Sequence, residues 1–172
     1  MAFRDRCEAL ATDLRYTLGR RAFDPLPADE LARHLGALVL TPAQVSGLDP
    51  GQLRVLLTSE LWSAAVLSRE PLVILVNPEH DSPRRESNLM HEFAHVLLDH
   101  PMTAFDPVTG LPQRDSRAEE EAAHLGGCLQ IPRRGILWAR QRGLSDCAIA
   151  ELFGASIEMV EYRARVSGVR HG

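Results

Sequence analysis

Residues 88–100 read Asn-Leu-Met-His-Glu-Phe-Ala-His-Val-Leu-Leu-Asp-His, and this stretch sets the fold class and the chemistry that the sequence predicts. His91 and His95 are four residues apart, so on a helix both imidazoles project from one face. Two imidazole nitrogens in this arrangement can bind one zinc ion, and the neighbouring Glu92 offers a carboxylate that can act as a base. The pattern predicts one zinc ion per chain, with Glu92 as catalytic acid and base.

This stretch and the residues before it carry the signals of a half-buried helix. Ser82 is a good N-cap and Pro83 is favoured in a first turn, so the helix is predicted from Ser82 to Leu98. Its apolar residues recur at helical spacing and form a side that faces the core. These residues are Leu89, Phe93, Val96 and Leu97.

A catalytic zinc ion needs a third protein ligand. The metzincin pattern would place a glycine and a histidine where this chain has Leu98 and Pro101, so that version is excluded. A helix predicted from Ser116 to just before Pro132 carries three successive glutamates instead, at residues 119–121. Successive helical residues point about 100° apart, so one of the three is expected to face the metal.

Glu121 is the preferred third ligand, because it begins the apolar and small-residue stretch that must pack close to the metal helix. Gly126 and Gly127 permit such an approach. Glu119 and Glu120 lie further into the polar end of the helix and remain alternatives.

Other polar residues are candidates for supporting roles. His124, one turn after Glu121, is a candidate donor to a transition-state oxyanion. Asp99 and His100 are candidates for orienting a ligand imidazole. Each has a simpler alternative as a solvated or helix-face residue.

Composition and charge limit the class of protein. The 172 residues are 45% hydrophobic and 24% charged, which suits one globular domain over residues 1–172. The net charge of −4 gives no support to sequence-independent nucleic-acid binding. The sequence shows no signal-peptide pattern, no apolar run of membrane-spanning length, and three cysteines that are far apart. The expectation is a cytoplasmic protein that does not contact a membrane.

The order of predicted elements indicates an α+β fold, with a small antiparallel sheet of about three strands packed on helices. Opening helices are predicted over residues 3–18 and 28–35. The N-terminal helices occupy residues 1–35, the sheet and zinc-site helices residues 36–132, and an all-helical pair residues 133–172.

The strands are predicted from short β-rich runs. One strand is expected at residues 37–41, and an antiparallel hairpin at residues 62–68 and 71–77. Residues 43–61 are compatible with one short helix. Residues 101–112 are rich in proline and predict a loop near the site.

The chain resembles the ImmA/IrrE family of zinc metallopeptidases. The resembling segments are 73–78, 84–100 and 121–132, in the same order as in the family, and the resemblance covers roughly residues 25–167. It implies a minimal, gluzincin-like zincin fold with His91, His95 and Glu121 on zinc and Glu92 as catalytic acid and base. It also implies a protein substrate, since members typically cleave or otherwise inactivate a helix-turn-helix repressor, switching on a stress response or mobile-element transfer.

The chain departs from the family pattern in the second metal helix. Ala123, Leu125 and Gly126 stand where the family commonly has Asn or Asp and then Phe-Ala. A non-hydrolytic regulatory protein, which keeps the fold and binds a repressor, is therefore an alternative.

Residues 144–166 resemble a helix-turn-helix, which makes DNA binding a second alternative. Glu158 and Glu161 on its second helix would face phosphates unfavourably, so packing against the zinc domain is preferred to direct DNA binding. Tyr162 on the same helix is a candidate oxyanion donor.

Overall fold

The computed structural model describes residues 1–47, 50–51, 54, 62–102, 104–105, 112–113 and 115–169. Over these residues the chain forms seven α-helices and five strands, which confirms the predicted α+β class. The helices are α1 (Phe3–Thr17), α2 (Ala28–Leu35), α3 (Ser82–Leu97), α4 (Ser116–Gln130), α5 (Arg133–Gln141), α6 (Asp146–Phe153) and α7 (Ile157–Ser167). The strands are β1 (Leu38–Leu40), β2 (Ala64–Arg69), β3 (Leu72–Val76), β4 (Ala104–Phe105) and β5 (Pro112–Gln113). No helix in this described part of the chain has both the length and the apolar character that a membrane span requires.

Three strands form one sheet in the order β1-β3-β2. β2 and β3 are the predicted hairpin and pair antiparallel, whereas β1 pairs parallel with the other side of β3. The sheet therefore has the expected number of strands but is mixed. A parallel pair needs a connection of a dozen or more residues, and residues 41–63 provide that length between β1 and the hairpin.

The central strand β3 and the helix pair α3–α4 build the scaffold of the site. The side chain of Asp81 caps α3, one residue earlier than predicted, and that of Asp115 caps α4. Gly126 of α4 lies directly against the backbone of α3. A Cβ at this position would lie 3.1 Å from the Met90 carbonyl oxygen and 3.2 Å from the Cα of His91. The absence of a side chain thus allows the two helices to approach closely at the first histidine.

Buried apolar side chains form two clusters. The first lies among α1, α2, the sheet, α3 and α4, and contains the fully buried Ile74, Phe93 and Leu125. The second lies among α5, α6 and α7, and contains the fully buried Ile136 and Val160. α4 ends where the two clusters meet, so the helix that carries the glutamates is anchored along its C-terminal half.

The C-terminal part contains one more helix than predicted. The sequence indicated a helical pair after residue 133, and the structure forms α5 in addition to the pair α6 and α7. Gly135 weakens the helical signal in this segment because glycine has low helix propensity. In the fold it permits contact with α6, since a Cβ there would lie 2.7 Å from the ring of Phe153.

Two further expectations fall partly outside the described residues. The short helix considered for residues 43–61 lies largely there, and Pro42–Gln44 forms a single 3₁₀ turn. The loop predicted for residues 101–112 contains β4 and begins β5, which pair antiparallel with each other.

Candidate metal centre

His91 and His95 project from one side of α3, one helical turn apart. Their Nε2 atoms lie 3.1 Å apart and their ring centroids 4.8 Å apart. Phe93 and Ala94, between them, are fully buried in the first cluster, which fixes the rotation of the helix. The two imidazoles therefore face a common point at the edge of the core.

Glu119 of α4 brings a carboxylate to the same point. Its Oε2 lies 3.2 Å from Nε2 of His91, and its Oε1 lies 3.7 Å from Nε2 of His95. The side chains of His91, His95 and Glu119 are 29%, 15% and 27% exposed, so the group is open on one side.

The spacing of these three groups fits a small tetrahedral metal ion. Zinc binds imidazole nitrogen and carboxylate oxygen at about 2.0–2.2 Å, which places neighbouring ligand atoms about 3.3 Å apart in a tetrahedron. The three separations of 3.1, 3.2 and 3.7 Å lie around that value. Two imidazoles and one carboxylate are also a donor set typical of catalytic zinc.

The position of Gly126 explains why Glu119 is the glutamate that faces α3. Glu119 precedes Gly126 by seven residues, nearly two full turns, so both point the same way to within about 20°. Glu121 precedes Gly126 by five residues and points roughly 140° away. Because Gly126 contacts α3, the residue seven positions earlier must also face α3.

Glu121, the third ligand preferred from the sequence, contacts different partners. Its Oε1 accepts a hydrogen bond from Nε of Arg117 at 2.9 Å, and its Oε2 lies 3.3 Å from Nε2 of His100. The Arg117 guanidinium, followed by the His100 ring, lowers the pKa of the Glu121 carboxyl. The structure thus groups Glu119, rather than Glu121, with the two histidines of α3.

His100 connects His95 to Glu121. Its Nδ1 lies 3.0 Å from Nδ1 of His95, and its side chain is only 10% exposed. The sequence predicts His100 either as a residue that orients an imidazole or as a solvated residue. In the structure it is buried against His95. His95 therefore faces His91 and Glu119 through its Nε2 atom and contacts His100 through its Nδ1 atom.

Arg69, the last residue of β2, fixes the turn that carries His100. Its Nη1 lies 2.9 Å from Oδ1 of Asp99, and its Nη2 donates to the backbone carbonyls of His95 and His100. Asp99 adopts a left-handed backbone with φ of 53°, which ends α3 and turns the chain back. Of the two candidates for orienting an imidazole, His100 contacts the ring of His95, whereas the exposed carboxylate of Asp99 pairs with Arg69.

Glu92 and Glu120 differ in their surroundings. Glu92 follows His91 on α3 and is half-buried, so it is held on a rigid element beside the two histidines. Glu120 is exposed on α4.

His124 and Tyr162, the two candidate oxyanion donors, lie elsewhere on α4 and α7. His124 is buried with its ring 6.0 Å from that of Phe3, and burial lowers its pKa. Tyr162 packs beside Gly127, where a Cβ would lie 3.4 Å from its ring. The contacts described for both side chains join α4 to α1 and α7. They do not include His91, His95 and Glu119, the metal-site group.

The sequence contained signals for part of this arrangement. The four-residue spacing between Arg117 and Glu121 identifies their pair. The seven-residue spacing to Gly126 identifies Glu119 once Gly126, rather than Gly127, is known to contact α3. Arg69 has no comparable signal, because its contact with the turn after α3 depends on how the hairpin packs.

Comparison with known proteins adds an independent observation. The family Peptidase_M78, described as the IrrE N-terminal-like domain, matches residues 55–165, about two thirds of the chain. The matched region includes His91, Glu92, His95 and Glu119. No curated protein is similar enough to count as a match.

Proposed function

The chain belongs to the Peptidase_M78 family of IrrE N-terminal-like metallopeptidases, and on this premise we propose that it is a zinc-dependent endopeptidase. The observation that carries the proposal is the group of His91, His95 and Glu119, whose ligand atoms lie within 4.8 Å of one another. Magnesium and calcium prefer all-oxygen ligands, so the two imidazoles favour zinc. We assign the third ligand to Glu119.

The chemistry proposed for Glu92 is proton transfer. A zinc ion bound by the three ligands would supply a Lewis acid that acidifies water and polarises a peptide carbonyl. Glu92 would accept the proton of the attacking water and return it to the leaving amine. Glu92 directly follows His91 on α3 and is half-buried, which supports this assignment.

The substrate we propose is a helix-turn-helix transcriptional repressor, whose cleavage would switch on a stress response or a mobile element. Support comes from the resemblance to the ImmA/IrrE family. The partly exposed ligand side chains also leave the site accessible to a protein segment.

Replacement of Glu92 by Gln tests the assignment. Glu92→Gln should keep one zinc ion per chain and lose cleavage of a repressor encoded beside the gene by roughly 10²–10⁴-fold, the usual contribution of a general base. Metal analysis and gel-based cleavage assays measure the two quantities. His91→Ala is the control that should lose both metal and cleavage, and undiminished cleavage by Glu92→Gln would refute the role of Glu92.

A purely DNA-binding function has less support. On α7, Glu158 and Glu161 are exposed, whereas Arg163 is buried and pairs with Glu8 of α1. The exposed carboxylates disfavour contact with phosphates, and the buried Arg163 favours a packing role for α7. A non-hydrolytic regulator would be indicated if the purified protein bound its repressor and zinc without cutting the repressor.

A further inference from the structure

We propose that His100, Glu121 and Arg117 form a hydrogen-bonded chain that holds His95 in the tautomer required for metal binding. The inference rests on the proposed metal site and assigns positioning roles to residues that do not touch the metal. It also gives Glu121 a role different from that of a ligand.

The chain of contacts is continuous over four side chains. It runs from Nδ1 of His95 to Nδ1 of His100 over 3.0 Å, and from Nε2 of His100 to Oε2 of Glu121 over 3.3 Å. It ends with Oε1 of Glu121, which accepts from Nε of Arg117 at 2.9 Å. Both ring nitrogens of His100 are therefore engaged.

Donor and acceptor counting fixes where the protons lie. A carboxylate only accepts, so Nε2 of His100 must carry the proton that is donated to Glu121. When His100 is in its neutral form, Nδ1 has a lone pair, and this lone pair requires a proton on Nδ1 of His95. The remaining nitrogen of His95, Nε2, is left with its lone pair directed at His91 and Glu119. This is the protonation that metal binding through Nε2 needs.

The surrounding structure holds His100 in the required position. Arg69 donates to the backbone carbonyls of His95 and His100, and Asp99 provides the left-handed turn between them. The His100 side chain is 10% exposed, so water competes little for its nitrogens. The arrangement matches the general use of a hydrogen-bond acceptor behind a metal-binding histidine to fix its tautomer and orientation.

Two variants of Glu121 separate a positioning residue from a ligand. Glu121→Leu removes the acceptor for His100, and zinc affinity, measured by competition with a chelator, should fall roughly 10–100-fold. Glu121→Gln keeps an oxygen that can accept from His100, so it should retain most of the wild-type affinity. Glu119→Gln, the matched control, replaces a charged ligand carboxylate by a neutral amide and should lose more affinity than either.

Two affinity results would overturn the proposal. Equal affinities of Glu121→Leu and the wild type would show that the chain of contacts has no influence on the metal. A loss in Glu121→Gln as large as in Glu119→Gln would show that Glu121 is itself a ligand. Unfolding midpoints of the metal-free proteins check that each variant is folded.

The tautomer of His95 provides a readout that needs no metal. Nitrogen-15 spectra of the imidazoles in the metal-free protein, at about pH 8.5 where ordinary histidines are neutral, should show the proton of His95 on Nδ1. In Glu121→Leu the proton should redistribute toward Nε2. If the wild type bound no zinc but its His95 proton still differed in position from that of Glu121→Leu, the proposed function would fail and the hydrogen-bonded chain would stand. A proton on Nε2 of His95 in the wild type would refute the chain itself.

Discussion

Three successive glutamates lie on α4, and the direction in which a side chain points determines its partner. Glu119 points toward His91 and His95, whereas Glu121 points toward His100 and Arg117. The difference of two residues corresponds to a rotation of about 200° around the helix axis. Chemically identical side chains therefore contact different partners.

Replacement of Glu119 by alanine is predicted to weaken zinc binding far more than the same replacement of Glu120. Glu119→Ala deletes the only carboxylate in the described metal-site group, so affinity should fall by more than the roughly 10–100-fold typical of an outer partner. Glu120→Ala changes an exposed residue and should leave affinity unchanged. Chelator competition measures both, and comparable losses in the two variants would contradict the assignment of Glu119.

This site could be predicted from the sequence only in part. The four-residue spacing identified His91 and His95 because local helical geometry alone brings their rings together. The choice between Glu119 and Glu121 depended on which face of α4 meets α3. Gly126 marks that face, and the seven-residue spacing from it to Glu119 was the informative one. The contact of His100 with His95 could not be read from spacing, since it depends on the left-handed turn at Asp99.

At the scale of elements, the crossing of α3 and α4 sets the distance between Glu119 and the two histidines. Gly126 stands at this crossing, where a Cβ would lie 3.1 Å from the Met90 carbonyl oxygen and 3.2 Å from the Cα of His91. The contact is with backbone atoms, which cannot change rotamer to make room. A wider crossing would move Glu119 away from the histidines.

Gly126→Ala is therefore predicted to reduce both stability and zinc affinity. Overpacking costs about 1–3 kcal/mol, and the better helix propensity of alanine offsets up to about 1 kcal/mol of it. Urea unfolding of the metal-free protein and chelator competition measure the two effects.

Gly127→Ala is the matched control for this prediction. A Cβ there would lie 2.9 Å from Cδ of Arg163, on a different face of α4. This variant should also lose stability but keep its zinc affinity. An equal loss of affinity in both variants would show that the crossing at Gly126 has no special role.

The elements were predicted well where the sequence pattern is local. The hairpin of β2 and β3 and the helices α3 and α4 follow from β-rich runs, caps and helical spacing. The parallel pairing of β1 with β3 was not predicted, because β1 is separated from the hairpin by more than twenty residues and no local pattern marks which strands become neighbours. The helix α5 was missed because Gly135 serves contact with Phe153 at the expense of helix propensity.

At the scale of the whole molecule, α1 connects the metal-site half to the C-terminal helices. Arg15 is fully buried and donates to the backbone carbonyl of Leu129, at the end of α4, at 2.7 Å. Glu8 pairs with the buried Arg163 of α7 and accepts from the backbone N–H of Arg133 at 2.9 Å. The first helix thus holds the end of α4 and the beginning of α5 together through charged groups.

The Glu8–Arg163 pair is predicted to matter most when only one partner is removed. Glu8→Ala leaves the 1%-exposed Arg163 side chain without its carboxylate, and the free energy of unfolding should fall by about 3 kcal/mol. The double variant Glu8→Leu/Arg163→Met replaces both charges by apolar groups and should lose less than Glu8→Ala. Urea unfolding gives the values, with Asp5→Ala on the exposed part of α1 as the neutral control.

Because Glu8 and Arg163 lie outside the metal-site group, zinc affinity should stay at the wild-type value. A double variant less stable than Glu8→Ala would show instead that Arg163 acts mainly through its 2.8 Å hydrogen bond to the Ile131 carbonyl.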